Sequence, residues 1–101
     1  MNIDVQTPWF ELRSPELGGP FEDFSRACKE KGVLDRKTKE LLMAALACVF
    51  RCPDCTEAHI KGALEAGASK EEITEALLIA SLEAAGTQLA WQKELFIKYL
   101  A

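Results

Sequence analysis

The sequence predicts an all-α fold, a small helical bundle of about five to six helices. No segment alternates apolar and polar residues with period two. Apolar residues instead recur at three- and four-residue spacing from residue 20 onward, and helix caps punctuate the chain at intervals. Composition agrees. Of 101 residues, 49% are hydrophobic and 28% charged, the balance of one globular domain and too apolar for a disordered chain. Twelve Lys and Arg against sixteen Asp and Glu leave a net charge of −4. A nucleic-acid partner needs a basic face, so none is expected.

Residues 1–19 read as an N-terminal arm, because Thr7-Pro8, Ser14-Pro15 and Gly18-Gly19-Pro20 break regular structure. The arm is expected to be extended with one short turn, and Trp9, Phe10 and Leu12 are its apolar handles. A single helical domain is expected over residues 20–101. Pro20 suits a first helical position, and Phe21, Phe24 and Ala27 or Cys28 follow at helical spacing until Gly32. Asp35 caps a second helix. Its stretch Leu41-Leu42-Met43-Ala44-Ala45-Leu46-Ala47 is apolar nearly all round and belongs at the centre.

Cys52 caps a third helix, opened by Pro53 and closed by Gly67. Ser69 and Glu72 form a capping box for a fourth, expected from Lys70 to about Ala85. Gly86 then interrupts, Thr87 caps, and a fifth helix takes Gln88 to the C-terminus. From Ile73 on, apolar residues occupy more than one stripe: Leu77, Leu78 and Ile79, then Leu89, Trp91, Leu95, Phe96, Ile97 and Leu100. One small bundle has too little interior to cover them. A homo-oligomer packed through apolar helix faces is expected.

The longest apolar run, residues 41–50, is about half of the ~20 residues a membrane span needs. No basic stretch followed by an apolar core opens the chain, so no signal peptide and no membrane partner are expected. The expected location is cytoplasmic, where thiols stay reduced and a Cys-x-x-Cys pair signals redox or metal chemistry.

One constellation carries chemistry: Glu40, then Cys52-Pro53-Asp54-Cys55-Thr56-Glu57-Ala58-His59. Backbone N–H groups at a helix start favour thiolate over thiol, and Cys52 at the cap feels them most. Two sulfurs three residues apart at a helix start can close a disulfide with little backbone movement. His59, four residues after Cys55, shares its helical face, where an imidazole can take the thiol proton. Cap physics therefore favours Cys52 as the attacking sulfur, and the His59 register favours Cys55.

Glu40 joins them if the second and third helices run antiparallel. It then lies nine residues up from Val49, ~13 Å, while His59 lies seven up from Cys52, ~10 Å. A carboxylate at that level orients the ring and raises its basicity.

The arrangement Glu40-x11-Cys52-x2-Cys55-x3-His59, followed by Gly67-Ala68-Ser69-Lys70-Glu71-Glu72-Ile73, resembles the alkylhydroperoxidase D-like branch of the carboxymuconolactone decarboxylase family over about residues 21–85. The resemblance implies an all-helical fold that assembles into trimers or hexamers, with thiol-dependent peroxidase or disulfide-reductase activity. It implies that Cys55 attacks a peroxide to become a sulfenic acid and that Cys52 condenses with it to a disulfide. Glu40 and His59 are then the proton relay. The implied substrate is a small peroxide or disulfide. No bound cofactor is required, since sulfur holds the electrons, and a dithiol donor (a protein or a lipoyl-type group) restores the thiols.

Asp54 stands where the best-studied members carry a second histidine, and its negative charge disfavours a neighbouring thiolate. Dithiol–disulfide exchange with little peroxidase activity is therefore an alternative. The family's decarboxylase branch lacks the cysteine pair, which disfavours lactone decarboxylation.

Cys48 sits in an apolar stretch and reads as a buried small hydrophobe, and Cys28 reads as structural. Cys48, Cys52, Cys55 and His59 spread along helices do not converge on one ion, so no metal is expected. Arg51 is a surface charge by default, able to steady a thiolate or attract an anionic substrate. The rival of another class is a non-catalytic helical oligomer with structural cysteines.

Overall fold

The computed structural model describes residues 6–101, and among them six helices and no strand occur. They are α1 (Trp9–Arg13), α2 (Pro15–Glu30), α3 (Arg36–Val49), α4 (Pro53–Glu65), α5 (Lys70–Trp91) and α6 (Lys93–Tyr99). The chain divides into two compact units, one ending at Leu34 and the other running from Asp35 to Ala101.

The first unit corrects the expectation of an extended arm. Trp9–Arg13 is helical, and α2 starts at Pro15 and passes straight through Gly18, Gly19 and Pro20. Residues 1–5 of the expected arm lie outside the described residues. Gly18 is buried, and a Cβ there would come within 2.6 Å of the Glu11 Cα and the Phe10 carbonyl. The glycine serves close approach of two helices rather than a break. Phe10 completes the contact edge-on against Phe21, with ring centroids 5.4 Å apart.

In the second unit α3 packs against both α4 and α5, as its apolar surface requires. The core is built of small residues. Ala44 and Ala63 have no exposed surface, and Ala63, Ala68 and Ile73 form a cluster against which Leu41, Ile60 and Leu77 pack. Alanine faces let helix axes come close, which keeps side chains on α3 and α4 within reach of each other.

The caps are those the sequence predicts. The Asp35 carboxylate accepts from the Thr38 N–H at 2.7 Å, and that bond and the Thr38 hydroxyl hold its carboxyl below the ordinary value. Ser69 Oγ accepts from the Glu72 N–H, and Glu72 Oε1 accepts from the Ser69 N–H, closing the capping box. The other Glu72 oxygen takes Lys37 Nζ at 2.9 Å, tying the start of α5 to the start of α3. The Ser69 N–H first, then Lys37, lower the Glu72 carboxyl, and Glu72 in turn raises Lys37.

A second correction falls on α5. It does not stop near Ala85 but runs unbroken through Gly86 and Thr87 to Trp91. One interior glycine costs a helix only about 1 kcal/mol. The Thr87 hydroxyl donates back to the Ala84 carbonyl at 2.8 Å instead of capping a new helix. The break comes at Gln92, and α6 follows.

Both carboxyls, Asp35 and Glu72, ionise more readily folded than unfolded, so their stabilisation is complete above about pH 4.5 and is lost as pH falls through their lowered folded values. The urea midpoint should hold steady from neutral pH to that point and then fall, and Asp35→Asn with Glu72→Gln should flatten the fall. Ser69→Ala should cost about 1 kcal/mol in the same measurement at neutral pH.

Candidate active site

The turn between α3 and α4 positions everything that follows. The Arg51 N–H donates to the Cys48 carbonyl and the Cys52 N–H to the Ala47 carbonyl, both at 3.0 Å. This is the Schellman pattern, which needs a left-handed residue after the C-cap. That residue is Arg51, with φ 57°, the only described residue other than glycine with positive φ. The turn from α4 to α5 repeats the pattern with Gly67 in the same place, φ 94°. A side chain there costs roughly 1–2 kcal/mol that glycine avoids.

The turn delivers Cys52 directly to the start of α4. Its Sγ accepts the Cys55 N–H at 3.2 Å, and its carbonyl takes both the N–H and the hydroxyl of Thr56. Cys52 and Cys55 are joined as a disulfide with Cα atoms 5.3 Å apart, inside the range the bond allows. When reduced, a thiolate at 52 keeps the N–H and the partial positive charge of the helix start.

Across the helix pair, His59 Nδ1 lies 2.9 Å from Glu40 Oε2, and both side chains are largely buried. An ionised carboxylate only accepts, so Nδ1 carries the proton and donates to Glu40. Nε2 of the neutral ring is then the nitrogen able to take a proton. The expected match of levels on antiparallel helices is thus observed. His59 also stands one turn beyond Cys55 on α4.

Gly62, one turn beyond His59, was not among the sequence candidates. It is fully helical and buried, and a Cβ there would meet Glu40 Oε2 at 2.5 Å and Cδ at 2.6 Å. The missing side chain is the space the carboxylate occupies. The signal was a glycine inside an otherwise good helix, which needs a packing reason.

Cys48 departs from the expectation of a buried hydrophobe. It is free and half-buried, and it lines a groove of about 620 Å³ together with Arg51, Cys52, Pro53, Ile60 and Lys61. Cys28 is free and exposed in the other unit. Among the described residues no three His, Cys, Asp or Glu side chains are grouped to hold a metal.

The model of the carboxymuconolactone decarboxylase family matches residues 15–95. The chain belongs to that family. The chain is 33% identical to a protein from Methanobacterium thermoautotrophicum whose crystal structure superposes with a TM-score of 0.78, covering 86% of this chain and 98% of that one. A carboxymuconolactone decarboxylase family protein from Legionella pneumophila is 35% identical, with a TM-score of 0.66 over 84% and 76% of the two chains. Among relatives, "Uncharacterized protein 4 in cox locus" of Paracoccus denitrificans is 41% identical over 70 residues, 69% of this chain. The match spans 63% of that relative's length, under two thirds. An uncharacterized protein of Cupriavidus necator is 33% identical over 78% of both chains. The cysteine pair at disulfide distance is compatible with the alkylhydroperoxidase D-like branch of this carboxymuconolactone decarboxylase family.

Gly62→Ala should destabilise the protein by about 1–3 kcal/mol, because the new methyl and the Glu40 carboxylate claim the same space. In a Glu40→Ala background the same change should instead stabilise by up to about 1 kcal/mol, as alanine replaces a helical glycine. Urea denaturation of the four species reads the sign change. Equal effects in both backgrounds would refute the steric coupling.

Proposed function

We propose that this protein is a thiol-dependent oxidoreductase that reduces small peroxides with Cys52 and Cys55, and that His59 and Glu40 move its protons. Its strongest support is one juxtaposition: a cysteine pair at the start of α4 and, one turn on, an imidazole whose Nδ1 is held by a carboxylate from α3.

The Cys55 thiolate attacks the peroxide, forming an S–O bond as the O–O bond breaks, and the departing alkoxide takes a proton. Cys52 sulfur then displaces hydroxide from the Cys55 sulfenic acid, which leaves as water, and the disulfide forms. His59 Nε2 accepts the Cys55 proton and returns it to a leaving oxygen, while Glu40 holds the tautomer and balances the imidazolium charge. A dithiol donor restores the pair, in a compartment such as the cytoplasm that keeps thiols reduced.

Dithiol–disulfide exchange is the second reading, favoured by Asp54. It is exposed, in the first turn of α4 between the two cysteines, where its charge opposes a thiolate. Comparing rates on hydrogen peroxide and on lipoamide separates the two.

The working form is proposed to be a homo-oligomer, a trimer or hexamer. Every large apolar side chain of α6 is exposed, as are Leu78, Ile79, Leu82, Leu89 and Trp91 of α5, and α5 and α6 together line an apolar groove of about 810 Å³. Exposed apolar surface on this scale marks an interface.

Thiol titration should show hydrogen peroxide consuming two of the four thiols, reversibly, and Cys55→Ser should abolish it. His59→Asn should slow the oxidation by roughly 10²-fold or more. Four thiols that survive peroxide would leave only a helical oligomer with structural cysteines. Light scattering at micromolar concentration should give a multiple of 11.2 kDa, and a clean monomer would refute assembly.

A further inference from the structure

The groove beside Cys52 carries more cation than carboxylate. Its lining carries Arg51 and Lys61 against one carboxylate, Glu57, in a protein of net charge −4. Lys61 is paired with Glu57 at 3.4 Å, and Arg51 has no ion-pair partner among the described residues. Arg51 also holds the left-handed position that Gly67 fills in the equivalent turn. A side chain other than glycine is uncommon at such a left-handed position, and here it is a cation on the groove wall. The remaining wall is Cys48, Pro53, Ile60 and Thr56, whose hydroxyl is taken up by the Cys52 carbonyl, and of the disulfide pair Cys52 lines the groove and Cys55 does not.

We propose that this groove receives the electron donor, a small dithiol bearing a carboxylate on a short aliphatic stem. The carboxylate pairs with the Arg51 guanidinium, the stem lies along Pro53 and Ile60, and a donor thiolate reaches Cys52 Sγ. This rests on the redox reading above and adds the donor's charge and its point of attack.

The donor sulfur bonds to Cys52 as the Cys52–Cys55 bond breaks, and Cys55 leaves as thiolate and is protonated on the His59 side. The second donor thiol then attacks the donor sulfur of the mixed disulfide. This closes the donor's own disulfide and releases Cys52, which takes the second proton. Two electrons and two protons pass from donor to protein. Peroxide and donor thus meet different sulfurs of one pair.

Dihydrolipoate and dihydrolipoamide share the dithiol and stem and differ only in the terminal charge. Stopped-flow reduction of the oxidised full-length protein should favour the carboxylate donor by about fivefold in second-order rate, the scale of an exposed ion pair. The ratio should fall toward one in added salt, in Arg51→Gln and in Arg51→Gly, and Arg51→Lys should keep part of it. Arg51→Gly removes the left-handed strain, so its thermal midpoint should hold or rise, and loss of the ratio there is not loss of fold.

Acid quenching during attack by 3-mercaptopropionate, followed by alkylation and peptide mapping, should find the mixed disulfide on Cys52. A ratio near one in the unsubstituted protein, a ratio that survives Arg51→Gln, or an adduct on Cys55 would overturn the proposal. The assay begins from oxidised protein and never uses peroxide. A chain inert to peroxide that still shows the ratio therefore overturns the peroxidase reading alone.

Discussion

A three-residue turn, Phe50 to Cys52, reverses the chain between α3 and α4, and the distances in the site follow from it. The Schellman hydrogen bonds end α3 and leave Cys52 where its sulfur caps α4. The same reversal brings Glu40, near the far end of α3, level with His59 on α4. One element of backbone geometry thus sets both the disulfide and the carboxylate–imidazole pair. Arg51 is the residue that bears the cost of that geometry.

Small residues let the two helices approach. Ala44 and Ala63 are completely covered, and Gly62 leaves room for a carboxylate to lie against the backbone of α4. A bulkier residue at 62 would push Glu40 off His59. The core that holds the site is therefore thin. No large side chain is fully buried among the described residues, while leucines and aromatic residues of α5 and α6 face outward. A chain that spends its small residues on bringing α3 and α4 together leaves its large ones for contacts beyond itself, which fits the proposed assembly.

The proposed chemistry divides along α4. His59, inward and tied to Glu40, stands one turn from Cys55, while Cys52 borders the groove with Arg51 and Cys48. A dithiol centre must meet an oxidant and a reductant in turn, and separate approaches to its two sulfurs allow both without competition for one pocket.

The sequence by itself determined the helical class, the caps at Asp35, Cys52 and Ser69, and the register of Cys55 with His59. Each depends on residues within one turn of one another, where side-chain chemistry and helix period suffice. The Glu40–His59 contact was legible only by counting levels on two helices, and it held because the turn is short. The tertiary structure alone decided the rest. Gly18 and Gly86 look like breaks in a linear reading, yet one is a close helix contact and the other lies inside a helix whose neighbouring turns hold it together. Gly62 and Arg51 gain meaning only from what packs against them, a carboxylate in one case and a sulfur-lined groove in the other. Local propensity tells what a residue permits, and packing against a distant part of the chain tells what that freedom is for.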